Sequence, residues 1–146
     1  MKTLRLVICA LVGSIAASAN AAENKSSLTE AQRTFLAKYE AVRAALAADD
    51  LAKAKNAAGN LAGVAEGKDV AAEIKKLSTA DSLKDARDAF KPVSKRAVEL
   101  AAGQPGYFHA HCPMVPGNQG HWVQTTDKIN NPYFGTAMLT CGSIEK

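Results

Sequence analysis

The chain has 146 residues, with 18 Lys and Arg against 14 Asp and Glu and a formal charge of +4. The two signs are interspersed, and short pairs such as Lys53/Lys55 and Lys75/Lys76 face acidic neighbours. This excludes the single-sign stripe of a nucleic-acid-binding surface, and the length suits one domain.

The N-terminus reads as an export signal. Lys2 and Arg5 form a positive region, Leu6 to Ile15 is an apolar run broken only by Gly13 and Ser14, and Ala17-Ser18-Ala19 and Ala19-Asn20-Ala21 are both A-x-A patterns. Cleavage is expected after Ala21, so residues 1–21 are a signal peptide and 22–146 a single mature domain. The apolar run falls short of the roughly 20 residues of a bilayer span, and no other stretch is a spanning candidate. Cys9 lies inside the apolar run and has no small residues directly before it, so it is not in a lipoprotein context. The expected location is periplasmic or secreted. Loss of Lys2 and Arg5 lowers the formal charge from +4 to +2.

Ser27-Leu28-Thr29-Glu30 fits a capping box with Ser27 as N-cap, opening a first helix to about Ala48. Leu28, Phe35, Tyr39, Val42 and Leu46 fall on one stripe of it. Asp49-Asp50 ends that helix and caps a second, about Leu51 to Ala65. The packed face of the second helix is mostly alanine, and Gly59 and Gly63, four apart, predict the close approach of another helix. Gly67 reads as its C′ residue. A third helix is predicted over Asp69–Leu77, with Val70, Ile74 and Leu77 on one side. A fourth, capped by Asp81, is predicted over Ser82–Ala102, with Leu83, Ala86, Phe90, Val93, Ala97 and Leu100 as its stripe. Pro92 lies inside the fourth helix and should kink it near Asp88 to Phe90. Gly103, Pro105 and Gly106 end helical structure.

The expected fold class is therefore mainly α: a small antiparallel bundle of about four helices over 28–102, with short connections. Alanine faces bury little area each, at about 25 cal/mol per Å². The remaining segment, 104–146, should pack over the bundle and complete its core through Tyr107, Phe108, Trp122, Tyr133 and Phe134. It has no helical period and is expected to be irregular, with short strands at Gly120–Thr125 and Thr136–Thr140. Asn130 to Gly135 reads as a turn with an aromatic anchor.

That segment also holds the chemistry. His109, His111 and His121 are the only histidines of the chain; Cys112, Cys141, Met114 and Met138 are its only sulfur residues besides Met1 and Cys9. Thiolate and thioether ligands select Cu(I), and imidazole suits copper, zinc and nickel. The candidate metal ligands are Cys112, Met114, Met138 and Cys141, with His111 or His121 completing the set. The expected ion is Cu(I); zinc on Cys112, Cys141 and two histidines fits less well, because the spacing matches no familiar zinc module. Trp122, beside His121, reads as core or as a shield for a Cu(I) centre. The alternative is a Cys112–Cys141 disulfide, expected for two cysteines in an oxidising compartment. It would stabilise a thin domain by about 3 kcal/mol on the chain-entropy account, leaving an interaction or structural module without metal. No C-x-x-C, nucleophile elbow, phosphate loop or H-E-x-x-H is present, so no enzyme is expected.

The tail resembles a family of uncharacterised bacterial exported domains. These also occur appended to periplasmic adaptor subunits of heavy-metal efflux systems of the resistance-nodulation-division class. The resemblance rests on His111-Cys112-Pro113-Met114, then Asn118, Gly120 and Trp122. It continues through Asn131-Pro132-Tyr133-Phe134-Gly135 and Met138-Leu139-Thr140-Cys141-Gly142. It implies a helical bundle followed by a cysteine- and methionine-bearing segment, and a role beside copper or silver efflux. It supplies no catalytic residues. The chain departs from the family at Gln119 and His121, where the family carries a lysine and an acidic or small residue. Lacking an adaptor domain, the chain is expected to meet a periplasmic efflux or metal-handling protein as a separate partner.

Overall fold

The computed structural model describes residues 27–65 and 67–145; the expected signal peptide and its cleavage site lie outside them. Among the described residues four helices come first: α1 (Glu30–Ala47), α2 (Leu51–Ala62), α3 (Lys68–Ser78) and α4 (Leu83–Ala101). Three short strands follow: β1 (Phe108–His111), β2 (His121–Gln124) and β3 (Ser143–Ile144). The strands form one antiparallel sheet in the order β2-β1-β3. The mainly-α bundle with a partly β C-terminal segment is thus as expected. Among the described residues no helix is long and apolar enough to cross a membrane.

Helix α1 begins two residues later than the sequence predicts. Thr29 is its N-cap, with Thr29 Oγ1 accepting from Gln32 N at 3.2 Å and Gln32 Oε1 accepting from Thr29 N at 2.9 Å. The same S/T-x-x-E/Q pattern occurs in both registers; the one used leaves Leu28 just outside the helix, where it is buried. Asp50 caps α2 and Ser82, rather than Asp81, caps α4. Gly67, at φ 96°, opens α3 instead of closing α2. Helix α4 runs through Pro92 without a break.

Successive helices pack side by side, and α4 returns against α1. The packed face of α2 is Ala54, Ala58 and Leu61, all fully buried. Gly59 and Gly63 are exposed, with nothing within 4 Å of a Cβ built on either. The expected close approach at these glycines is therefore absent: they lie on the solvent side of α2, and alanine does the close packing.

The tail closes the core. Tyr39 of α1 stacks on Phe90 of α4 at 5.3 Å between ring centroids, Phe90 meets Tyr133 at 5.9 Å, and Tyr133 meets Trp122 edge-on at 6.1 Å. Trp122 and Tyr133 are buried, whereas Tyr107, Phe108 and Phe134 are only partly so. The strand expected at Gly120–Thr125 is β2. The one expected at Thr136–Thr140 is a 3-10 turn over Gly135–Ala137 and a bend, while β3 lies further on.

Charged groups fasten this lid. Arg43 is buried and binds Glu40 through Nε and Nη2, at 2.8 and 2.7 Å, and the Asn130 carbonyl through Nη1 at 2.8 Å. Arg87 donates to the carbonyls of Pro132 at 2.8 Å and Leu46 at 2.9 Å, and to Asp49. The Asp49 carboxylate also accepts from the Thr136 N–H at 2.9 Å and from the Thr136 hydroxyl. Gly135, at φ 54°, lies so close to this group that a Cβ would collide with Asp49 Oδ1 and Arg87.

The Thr136 and Arg87 donors hold the Asp49 carboxyl down, from 3.8 to about 2. A carboxyl depressed in the folded state adds stability above its unfolded value and loses it as the pH falls. Asp49 lies at φ 57°, in the left-handed region that asparagine also tolerates, so Asp49→Asn removes the charge while fitting the same backbone. It should lower unfolding stability by about 1–2 kcal/mol at pH 7, by loss of charge-assisted hydrogen bonds. Denaturant unfolding of both proteins between pH 7 and pH 2 checks this: the gap should shrink between pH 3.8 and about 2. A gap independent of pH would contradict it.

Candidate metal centre

The sheet presents its candidate ligands by strand parity. Successive side chains point to opposite faces, so His109 and His111 share one face of β1. In the β1–β2 register His111 pairs with His121 and Ala110 with Trp122. The outward carbonyl of His121 and N–H of Val123 bind helix side chains rather than β1. His111–His121 is therefore a non-hydrogen-bonded pair, the kind that brings opposing side chains closest. Their rings stack at 4.1 Å between centroids with 12° between planes.

Strand β3 brings the carboxylate. Ala110 pairs with Ile144, and the Glu145 N–H donates to the His109 carbonyl at 2.8 Å. Glu145 Oε2 lies 3.1 Å from His109 Nδ1 and 3.7 Å from His121 Nδ1; Oε1 lies 3.6 Å from His111 Nδ1. His109 Nε2 and His121 Nδ1 are 3.1 Å apart. One ligating atom from each of His109, His121 and Glu145 falls within 4.8 Å of the other two. Among the described residues this is the one cluster of three or more His, Cys, Asp or Glu that could hold an ion.

The contacts constrain the protons. If His109 donates through Nδ1 to Glu145 as a neutral ring, its Nε2 accepts, and the His121 Nδ1–H is the donor between the two rings. Burial lowers the His121 pKa from 6.5, and the neighbouring His111 adds to this; Glu145 opposes it. His121 is thus biased to the neutral imidazole, the form that coordinates metal. The buried Nε2 of His111 has no hydrogen-bond partner among the described residues. Two imidazole nitrogens and one carboxylate oxygen suit a borderline divalent ion, and three protein ligands leave an open position. His109 and His121 also line a cavity of about 590 Å³ shared with Lys91, Lys95 and Glu99 of α4 and with Asn118 and Gln119.

The thiols lie elsewhere. Cys112 follows β1, and its N–H donates to the Gly120 carbonyl at 2.9 Å, extending the ladder. Parity puts it with Ala110 on the face opposite the imidazoles, and it is fully buried. A Cβ at Gly120 would sit 2.2 Å from the Cys112 carbonyl, so only glycine allows this pairing. Cys112 Sγ and Cys141 Sγ are 2.9 Å apart. Contact with Cys112, followed by burial, raises the Cys141 thiol above its ordinary value.

The expected ligand set is therefore divided. Cys112 meets Cys141, and His111 meets His121, but no cluster among the described residues joins a thiol to these imidazoles. Met114 is 59% exposed. Met138 is partly buried, one turn before Cys141, whose N–H donates to its carbonyl at 3.0 Å. Trp122 is on the bundle side, donating from Nε1 to Gln124 Oε1 at 2.8 Å, not over the imidazoles. His109 was in view from the sequence without being placed in the ligand set, and Glu145 was missed. Nothing local marks Glu145, because its position depends on the pairing of a two-residue strand. No family model, curated protein or solved structure matches this chain.

The His121 imidazole should titrate below 6.5 in the metal-free protein. Being depressed in the folded state, it contributes stability above that value, and the contribution is lost as the pH falls below it. A ring-proton NMR titration checks this; a midpoint at or above 6.5 would contradict it.

Proposed function

We propose that the chain is an exported metal-binding protein that holds a borderline divalent ion, Zn(II) or Cu(II), on His109, His121 and Glu145. It would serve as a buffer, carrier or accessory in metal handling. The observation that carries this reading is the convergence of two imidazoles from β1 and β2 with a carboxylate from the residue directly after β3. The bias of His121 towards its neutral form supports it. His111, stacked on His121, would orient that ring and face Glu145 rather than ligate. The N-terminal export pattern and the resemblance of the tail to efflux-associated domains support a periplasmic setting and an efflux or metal-handling partner.

Cu(I) is the second reading, favoured by the 2.9 Å approach of the two thiols. A soft ion would be taken by reduced Cys112 and Cys141, with the half-buried Met138, three residues before Cys141, as the candidate thioether.

Competition titrations of the purified protein against chromophoric chelators test both. One equivalent of Zn(II) or Cu(II) is expected to bind, and His109→Ala, His121→Ala or Glu145→Gln should each weaken it about tenfold or more. Met114→Leu should change nothing. If His109→Ala/His121→Ala binds divalent ions as the parent does, the assignment fails. Cu(I) binding that vanishes in Cys112→Ser/Cys141→Ser and survives the histidine variants would establish the second reading instead.

A further inference from the structure

We infer that Cys112 and Cys141 form a thiol–disulfide modification site that sets the metal affinity of the imidazole–carboxylate face. This rests on the metal reading above and adds its regulation.

The argument starts from how little holds Glu145. It directly follows β3, which is two residues long, lies at an edge of the sheet and, among the described residues, pairs with β1 alone. Two register pairs and one further N–H donation, from Glu145 to the His109 carbonyl, make up the ladder. Short edge pairing of this kind opens at small free-energy cost. Upstream, the chain enters β3 through Cys141 and Gly142. The Cys141 carbonyl accepts from Asn131 Nδ2 at 2.9 Å. Gly142, at φ 129°, passes so close that a Cβ would sit 2.8 Å from the His111 carbonyl and 2.9 Å from the Trp122 ring.

The two sulfurs flank this junction: Cys112 directly follows β1, and Cys141 lies two residues before β3. At 2.9 Å they need a shift of less than about 1 Å to reach the roughly 2.05 Å of a disulfide. A bond here would tie β3 to β1 at the point where β3 begins. It would hold Glu145 beside His109 before any ion arrives, lowering the ordering cost of binding.

Exposure sets the order of events. Cys112 is fully buried and Cys141 is partly exposed, so an incoming disulfide meets Cys141 first. The Cys141 thiolate attacks one sulfur of a disulfide-bearing oxidant, breaking that bond and releasing one oxidant thiolate, while a mixed disulfide forms. The Cys112 thiolate then attacks Cys141 Sγ and displaces the second oxidant thiolate. Two protein thiols have lost two protons and two electrons, and the oxidant disulfide has become two thiols.

The test uses Zn(II) as the probe, with affinity read by chelator competition. The purified protein is compared after equilibration with excess oxidised glutathione and as the Cys112→Ser/Cys141→Ser variant, which has neither the bridge nor thiol ligands. The oxidised protein should show no free thiols and bind Zn(II) about tenfold more tightly than the variant, the scale of losing one partner of a metal site. Glu145→Gln should remove the difference. Should the serine variant not fold, Cys112→Ala/Cys141→Ala, which likewise lacks the bridge and the thiol ligands, replaces it with the same expectation. Two free thiols after oxidation would overturn the proposal, as would equal or tighter binding without the bridge. If His109→Ala still weakens Zn(II) in both redox forms, the metal site stands and only the coupling fails. If it weakens neither, the metal reading itself has failed.

Discussion

A single chain of buried hydrogen bonds holds the sheet to the helices. Strand β2 lies at an edge, so half of its backbone groups point away from β1 and towards the bundle. An unpaired backbone group there would be costly. The Val123 N–H donates to Tyr39 Oη at 3.3 Å, and Ser94 Oγ donates to the His121 carbonyl at 2.9 Å. Since the Ser94 proton is committed, Tyr39 is the donor in its 2.8 Å contact with Ser94. Tyr133 Oη donates to the same His121 carbonyl at 2.6 Å. Burial drives the Tyr39 and Tyr133 hydroxyls well above the ordinary tyrosine range, which keeps both as donors. Helices α1 and α4, strand β2 and the Tyr133 turn thus meet at the backbone of one histidine, whose side chain faces the candidate metal centre.

The same economy of polar anchoring recurs along the tail. A bundle rich in alanine has little area to bind a lid by contact alone, and specific groups do the locating instead. Arg43 and Arg87 collect carbonyls from the 130–132 stretch. Asn131 accepts from the N–H groups of Tyr133 and Phe134, donates through Nδ2 to Cys141, and through its own N–H to Leu139. Gln124 satisfies all of its amide by accepting from Trp122 and Asn130 and donating to the carbonyls of Thr126 and Lys128. Each of these side chains is bound to backbone of the irregular segment. The segment therefore has a defined path without regular structure of its own, and the path carries Cys141 to Cys112 and Glu145 to His109.

Crowding in sequence and proximity in space part company within this tail. His111 and Cys112 are neighbours in the chain, yet strand parity sends them to opposite faces. His109 and His121 are twelve residues apart and meet at 3.1 Å. One dense cluster of metal-binding residue types becomes two chemically distinct pairings, imidazoles with a carboxylate on one face and two thiols on the other.

The helices were legible from the residues alone. Their apolar periods are local, and Asp50 and the alanine face of α2 appear where those periods place them. Local reading slipped where two registers were equally good, at the Thr29 cap, and where it took Gly59 and Gly63 for a contact. The gathering of histidine, cysteine and methionine in the last third was equally plain, as was the aromatic anchoring of that segment. The sequence by itself therefore determined the bundle, the lid and the gathering of histidine, cysteine and methionine, but not the part of Glu145. Only the tertiary structure decided which ligands meet, because cross-strand register is a non-local property. Glu145 becomes a neighbour of His109 solely through the pairing of two residues of β3 with β1, and no periodicity in the chain encodes that meeting.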